Sequence, residues 1–223
     1  MGENTKKDSN MFVPKSNRVD DIKEIHDFIR DHSFGILVSN SAKQLEKDFS
    51  LSGTHIPFVL QTNQGKNGVL YAHLAKANPQ WRTLENQQVM VIFSGPHAYI
   101  SPTWYTNPPN VPTWNYTAVH GYGEVQLLDK SELLDNLNEL TKTFEPSLLL
   151  NKETMPARYI DKLSAGIVGF KIKVSRWDAQ MKLGQQRSEF DQIQIYKELQ
   201  KAKDLDVNQL TSYMQKILKI NFL

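Results

Sequence analysis

The sequence contains no cysteine. Disulfides, thiolate zinc sites, iron–sulfur clusters and cysteine nucleophiles are thereby excluded, and the composition suits a reducing compartment. No apolar run approaches the roughly 20 residues that a membrane helix needs. The opening residues MGENTKKDSN are polar and lack the apolar core of a secretory signal. A soluble, cytoplasmic protein with no membrane association is the expectation. Charge of one sign is also missing: 26 Lys and Arg stand against 24 Asp and Glu, a formal +2. Proteins that grip duplex DNA draw affinity from neutralised phosphates and show a basic face, so this balance lowers the expectation of a dedicated DNA-reading surface. GxGxxG, GxxxxGK[ST] and GxSxG are all absent, which disfavours a Rossmann site, a P-loop and a serine elbow. The six histidines, at 26, 32, 55, 73, 97 and 120, show no paired ligand spacing, so no metal is expected.

What is present is a chain of 223 residues, long enough to bury a core without staples. Asp20 and Asp21 offer N-caps to an amphipathic helix with Ile22, Ile25, Phe28 and Ile29 on one face. Strands are predicted over 34–39, 54–61, 68–73, 89–93, 99–101, 118–127 and 167–174, punctuated by Gly, Asn and Pro as in NQGKNG and SGPH. A short helix is expected within 78–86, a longer one from a cap at Ser131, and another from Pro156 to Leu163. Residues 187–203 and 206–220 read as a terminal helical pair, with NPPNVPT (107–113) as a proline-rich loop. Many short strands without regular strand–helix alternation point to a β-rich α+β fold of barrel type. The division expected is a tail over 1–10, a barrel domain over 11–186 and a helical appendage over 187–223.

The chemistry-bearing residues concentrate between Thr54 and Tyr116. THIP (54–57) places a hydroxyl and an imidazole on a strand, and HLAKANPQW (73–81) carries Lys76 where a strand enters a helix. Backbone N–H groups and a lysine at such a junction suit a phosphate. Trp104, Tyr105, Trp114 and Tyr116 offer flat surfaces for an aromatic ring. Taken alone, Lys76 reads first as a solvated lysine, His55 and His73 as core or interface groups, and the tryptophans as packing.

Taken together, FGILVS (34–39), THIPF (54–58), HLAKANPQW (73–81), IFSGPHAYISPTWY (92–105), VPTWNY (111–116), VHGYGE (119–124), IVGFKI (167–172) and MKLGQQR (181–187) resemble the PaiB family. Its members are described as FMN-binding negative transcriptional regulators with a split β-barrel fold. The resemblance implies a homodimer with flavin at the subunit interface, and a link to operator DNA, direct or indirect. It gives Lys76 the FMN phosphate, helped by His73 and Asn78, and puts Thr54, His55 and Pro57 near the isoalloxazine. MKLGQQR, with Lys182 and Gln185, is similar to the family's KLSQN segment and would reach the flavin from the partner chain. Gly184 and Gln186 stand where that segment has Ser and Asn, and Lys76 where the family commonly has Arg. The split barrel also hosts flavin oxidoreductases, so an FMN-dependent enzyme of unknown catalytic residues is the alternative, and a flavin-free interaction protein the third reading.

Overall fold

A computed structural model describes residues 10–40, 51–150 and 153–219. The expected tail over residues 1–10 falls, but for Asn10, outside the described residues, as does the last predicted helical residue, Ile220. Among the described residues the strands are β1 (Phe34–Asn40), β2 (Leu51–Pro57), β3 (Val59–Gln61), β4 (Val69–Ala75), β5 (Gln88–Ile100), β6 (Thr113–Leu127) and β7 (Ile167–Lys182). The helices are α1 (Ile22–Asp31), α2 (Lys130–Phe144), α3 (Ala157–Ser164), α4 (Glu189–Gln200) and α5 (Leu205–Leu218). The strands form a seven-stranded sheet in the order β2-β1-β5-β6-β7-β4-β3.

The chain divides into two compact units, and β5, β6 and β7 contribute residues to both. One unit, His26–Phe93 with His120–Trp177, is the barrel. Its curvature follows from chain connectivity. β2 and β3 are the two outer strands of the sheet order, yet only Phe58 separates them in sequence. A sheet whose edges are joined by one residue must roll until those edges meet. It stays split, because β2 and β3 are not neighbours in the hydrogen-bonded order.

Phe58 sits at this seam, 2% exposed. Its ring meets Phe93 of β5 edge-on at 5.5 Å and Phe170 of β7 at 6.5 Å, so one side chain ties the seam to strands across the barrel. Burying such a ring stabilises by about 2–3 kcal/mol, and each edge-on pair adds roughly 1 kcal/mol. Leu37, Leu70, Ala72, Leu74, Val91 and Ile172 complete this core. Gly35 is required here, because a Cβ at that position would stand 2.9 Å from the Phe93 ring.

The other unit comprises Met1–Ile25, Ser94–Val119 and Asp178–Leu223. Its core gathers Ala98, Ile100 and Met181 from the strands and Leu183 just after β7, with Ile195 and Leu199 of α4 and Leu210 and Met214 of α5. The apolar spacing that predicts the terminal helical pair is thus the spacing that is buried.

Three local expectations are corrected. Ser94–His97 is no turn: β5 runs unbroken through it. Burial there follows Val89, Val91 and Phe93, then shifts to Pro96, Ala98 and Ile100, so one extra residue at Ser94–Gly95 absorbs the glycine and proline as a bulge does. Helix α2 begins not with Ser131 but with Asp129, whose carboxylate accepts from the Glu132 N–H at 2.9 Å while Glu132 accepts from the Asp129 N–H at 3.2 Å. That reciprocal capping box satisfies two orphan donors where a lone serine would satisfy one. The single strand expected over 54–61 is broken at Phe58, for the topological reason given above.

Candidate functional site

β2 decides which way the THIP residues face. In the β1–β2 register Thr54 lies opposite Leu37 and Ile56 opposite Gly35, whereas His55 lies opposite Ile36 and Pro57 opposite Phe34. Leu37 and Ile56 are buried, so Thr54 shares the inner face, and His55 and Pro57 share the outer one. The three residues therefore cannot present themselves together from one side of the strand.

Thr54 instead belongs to a hydrogen-bonded hub with the turn after β4. Its hydroxyl donates to Gln80 Oε1 at 2.5 Å and accepts from Asn78 Nδ2 at 3.0 Å. Asn78 Oδ1 accepts from the Gln80 N–H at 3.0 Å, capping the short 3-10 turn Pro79–Thr83. Gln80 is 2% exposed, and its Nε2 donates to Ser39 Oγ at 2.9 Å and lies 3.3 Å from the Leu37 carbonyl. Gln80 thus fastens the turn to both β1 and β2. It stands inside the HLAKANPQW block, but a glutamine beside tryptophan and proline gives no sign of being the hub.

Lys76 rides on this turn. Its N–H donates to the Gly166 carbonyl at 2.8 Å, and its own carbonyl accepts from Trp81 Nε1 at 3.0 Å. The backbone is held on both sides, while the side chain is exposed and has no acidic partner among the described residues. An unneutralised cation on a fixed turn fits the phosphate end of a mononucleotide. His73 offers something different. Burial lowers its pKa, so near neutral pH the imidazole carries no charge toward an anion, and its Nδ1 is buried without a hydrogen-bond partner.

In the other unit, MKLGQQR forms the turn that ends β7. Gly184 has φ +87°, a left-handed backbone that a serine would adopt only under strain, so glycine at this position answers a conformational need. Gln185 Oε1 accepts from the Leu183 N–H at 2.8 Å, and its Nε2 donates to the Met181 carbonyl, so both ends of the amide close their own turn. Lys182 Nζ donates to Thr113 Oγ1 at 2.6 Å. Arg187, within the same block but not singled out by sequence reasoning, lies 4.3 Å from the Tyr105 ring and donates to Asn110 Oδ1 at 3.0 Å. The structure thus brings Thr54, Asn78 and the Lys76 turn together in the barrel unit. Lys182 and Gln185 belong to the second unit, where each is engaged locally.

The fold has solved counterparts. The flavocytochrome Anf3 from Azotobacter vinelandii matches with a TM-score of 0.58 and 13% identity, over 79% of this chain and 75% of that one. The FAD and heme binding protein from Mycobacterium smegmatis matches with a TM-score of 0.53 and 13% identity, over 75% and 74%. These likenesses establish the architecture, a split barrel, as the sequence blocks imply. Residues 11–176 match the family described as "Putative FMN-binding domain". The chain belongs to that family, and with it to the PaiB group that its sequence blocks resemble. It is 36% identical over 214 residues to protease synthase and sporulation protein PAI 2 of Bacillus subtilis, covering 94% of this chain and 99% of that protein. It is also 31% identical over 209 residues to the uncharacterized protein AN0679 of Emericella nidulans, covering 76% and 82%.

Proposed function

We propose that this chain is an FMN-binding regulator that acts as a homodimer and lowers expression of its target genes, directly or through a partner. FMN is the cofactor of its family, and the single observation that carries the placement is Lys76. The ammonium is exposed and unpaired among the described residues, on a turn pinned by Thr54, Asn78 and Gln80. In this reading Lys76 takes the phosphate, and the spare N–H of Asn78 Nδ2 is free to donate beside it. His73 contributes as a neutral hydrogen-bonding group. When bound, FMN supplies a redox-active ring; the residues named here bind and orient it.

The dimer has its own support. The outward side of β1, β2 and the adjoining part of β5 presents Phe34, Ile36, Val38, Leu51, Met90 and Ile92, with His55 and no charged side chain. Phe34 is 63% and Leu51 69% exposed, on a sheet face that a solitary barrel would coat with polar residues. A second copy would bury it.

The test is visible absorbance of the purified protein after addition of FMN and desalting. Retained flavin, lost in Lys76→Ala, is the expected result; absence of retained flavin in the unaltered protein would remove the reading. Light scattering on Ile36→Lys checks the seam. A monomer is expected, and an unchanged dimer would move the interface elsewhere.

A further inference from the structure

Away from the proposed flavin turn, the outer side of the barrel unit carries a cavity of about 220 Å³. Its walls are Gln61, Gln64 and Tyr71 on one side and the α2 residues Glu132, Asp135, Asn136 and Glu139 on the other. Positions 132, 135, 136 and 139 recur at helical spacing, so one stripe of α2 supplies all four. Charge accounting narrows what the cavity can take. Glu132 is paired with Lys171 at 2.6 Å, and Glu139 lies 3.6 Å from Lys142. Asp135 has no cationic partner among the described residues. One negative charge is left over.

Asn136 supplies an independent sign. It is 5% exposed, lines the cavity, and its Oδ1 is buried with no hydrogen-bond partner. A buried acceptor left unmade costs free energy that packing does not return, so natural structures tolerate few of them. Nearby, Tyr71 donates to Gln64 Oε1 at 2.8 Å, and Glu132 is held by Lys171. The charge left uncompensated is a carboxylate and the buried orphan is an amide oxygen, both acceptors. The described residues hold no group of three or more His, Cys, Asp or Glu arranged to hold a metal ion, so the acceptors do not add up to a metal cage.

We propose that this cavity binds a small organic monocation, an alkylammonium whose N–H groups donate to Asp135 and Asn136. An ammonium carries three donors and no acceptor, which complements this pair of acceptors. Tyr71, Gln61 and Gln64 form the opposite wall, where the short alkyl part would lie. A ligand seated there would contact both β4 and α2.

The experiment is calorimetric titration of the full chain with n-butylammonium at low ionic strength, with the uncharged N-butylacetamide as control. Saturable binding of the amine alone is expected. Asp135→Asn should weaken it by about tenfold or more, the loss of one charge-assisted hydrogen bond. Asn136→Leu should weaken binding about fivefold without lowering the denaturation midpoint, because in the free protein that amide oxygen has no partner to lose. Lys76→Ala should leave amine binding unchanged, which separates this site from the proposed flavin site. Equal binding of amine and amide, an unaffected Asp135→Asn variant, or an Asn136→Leu variant that binds normally would each overturn the proposal.

Discussion

Two turns that the sequence presents as halves of one site are built on opposite plans. The turn after β4 spends its neutral groups on its own fixation: Thr54, Asn78 and Gln80 bond to one another and to β1, and the ammonium of Lys76 is left over. The turn after β7 engages almost everything it carries. Gln185 closes the loop, Lys182 meets Thr113, and Arg187 is taken up by Tyr105 and Asn110. A binding turn needs rigidity from groups the ligand does not require, and a charge the scaffold does not consume. Only the first turn meets both conditions within one chain.

The sharpest way to break this contrast is to remove the hub. Gln80→Leu strands the Thr54 hydroxyl and Ser39 Oγ, and should cost about 3 kcal/mol of stability in urea unfolding. A loss below 1 kcal/mol would mean that the turn is fixed by other means. Lys76→Ala should weaken FMN binding about thirtyfold with little effect on folding, whereas Lys182→Ala should change it less than threefold. Flavin fluorescence titration reads both, and equal losses would restore Lys182 to the site. Gly184→Ala should cost roughly 1–2 kcal/mol through its left-handed backbone alone, visible as a lower thermal midpoint.

The smallest effect expected is a pH slope. The folded pKa of His73 lies below its ordinary value, so the unfolded chain takes up a proton first as pH falls. The associated stability is intact above that ordinary value and is lost as pH drops below it. His73→Gln should flatten the stability profile between roughly pH 7 and 5. An identical slope in both proteins would assign it to other groups.

Much of the fold is legible in the sequence because helical spacing reports burial: Ile25, Phe28 and Ile29 of α1 and Ile195, Leu199, Leu210 and Met214 of the terminal helices are buried, whereas Ile22 and Phe34 stay exposed. The misreadings share a cause. Gly95-Pro96 carries the local chemistry of a turn, but β5 continues through it, and only burial on the far side reveals the one-residue phase shift. Lys76 stands out from the sequence because a charge at a strand end is conspicuous. Gln80 does not, because its importance lies in partners 28 to 43 residues away in sequence, at Ser52, Ser39 and Leu37. Alternation along β2 places Thr54 and His55 on opposite faces, which the THIP string alone could have signalled.

The passage through Phe58 has a kinetic side. A barrel is usually sealed by strands far apart in the chain, and bringing them together carries a loop-closure cost before any contact rewards it. Here the two margins of the sheet follow one another in sequence, so the seam is held by a covalent hasp from the outset. Mutations that loosen Phe58 without breaking this connection should therefore act mainly on how fast the barrel opens, and far less on how fast it finds its closed form.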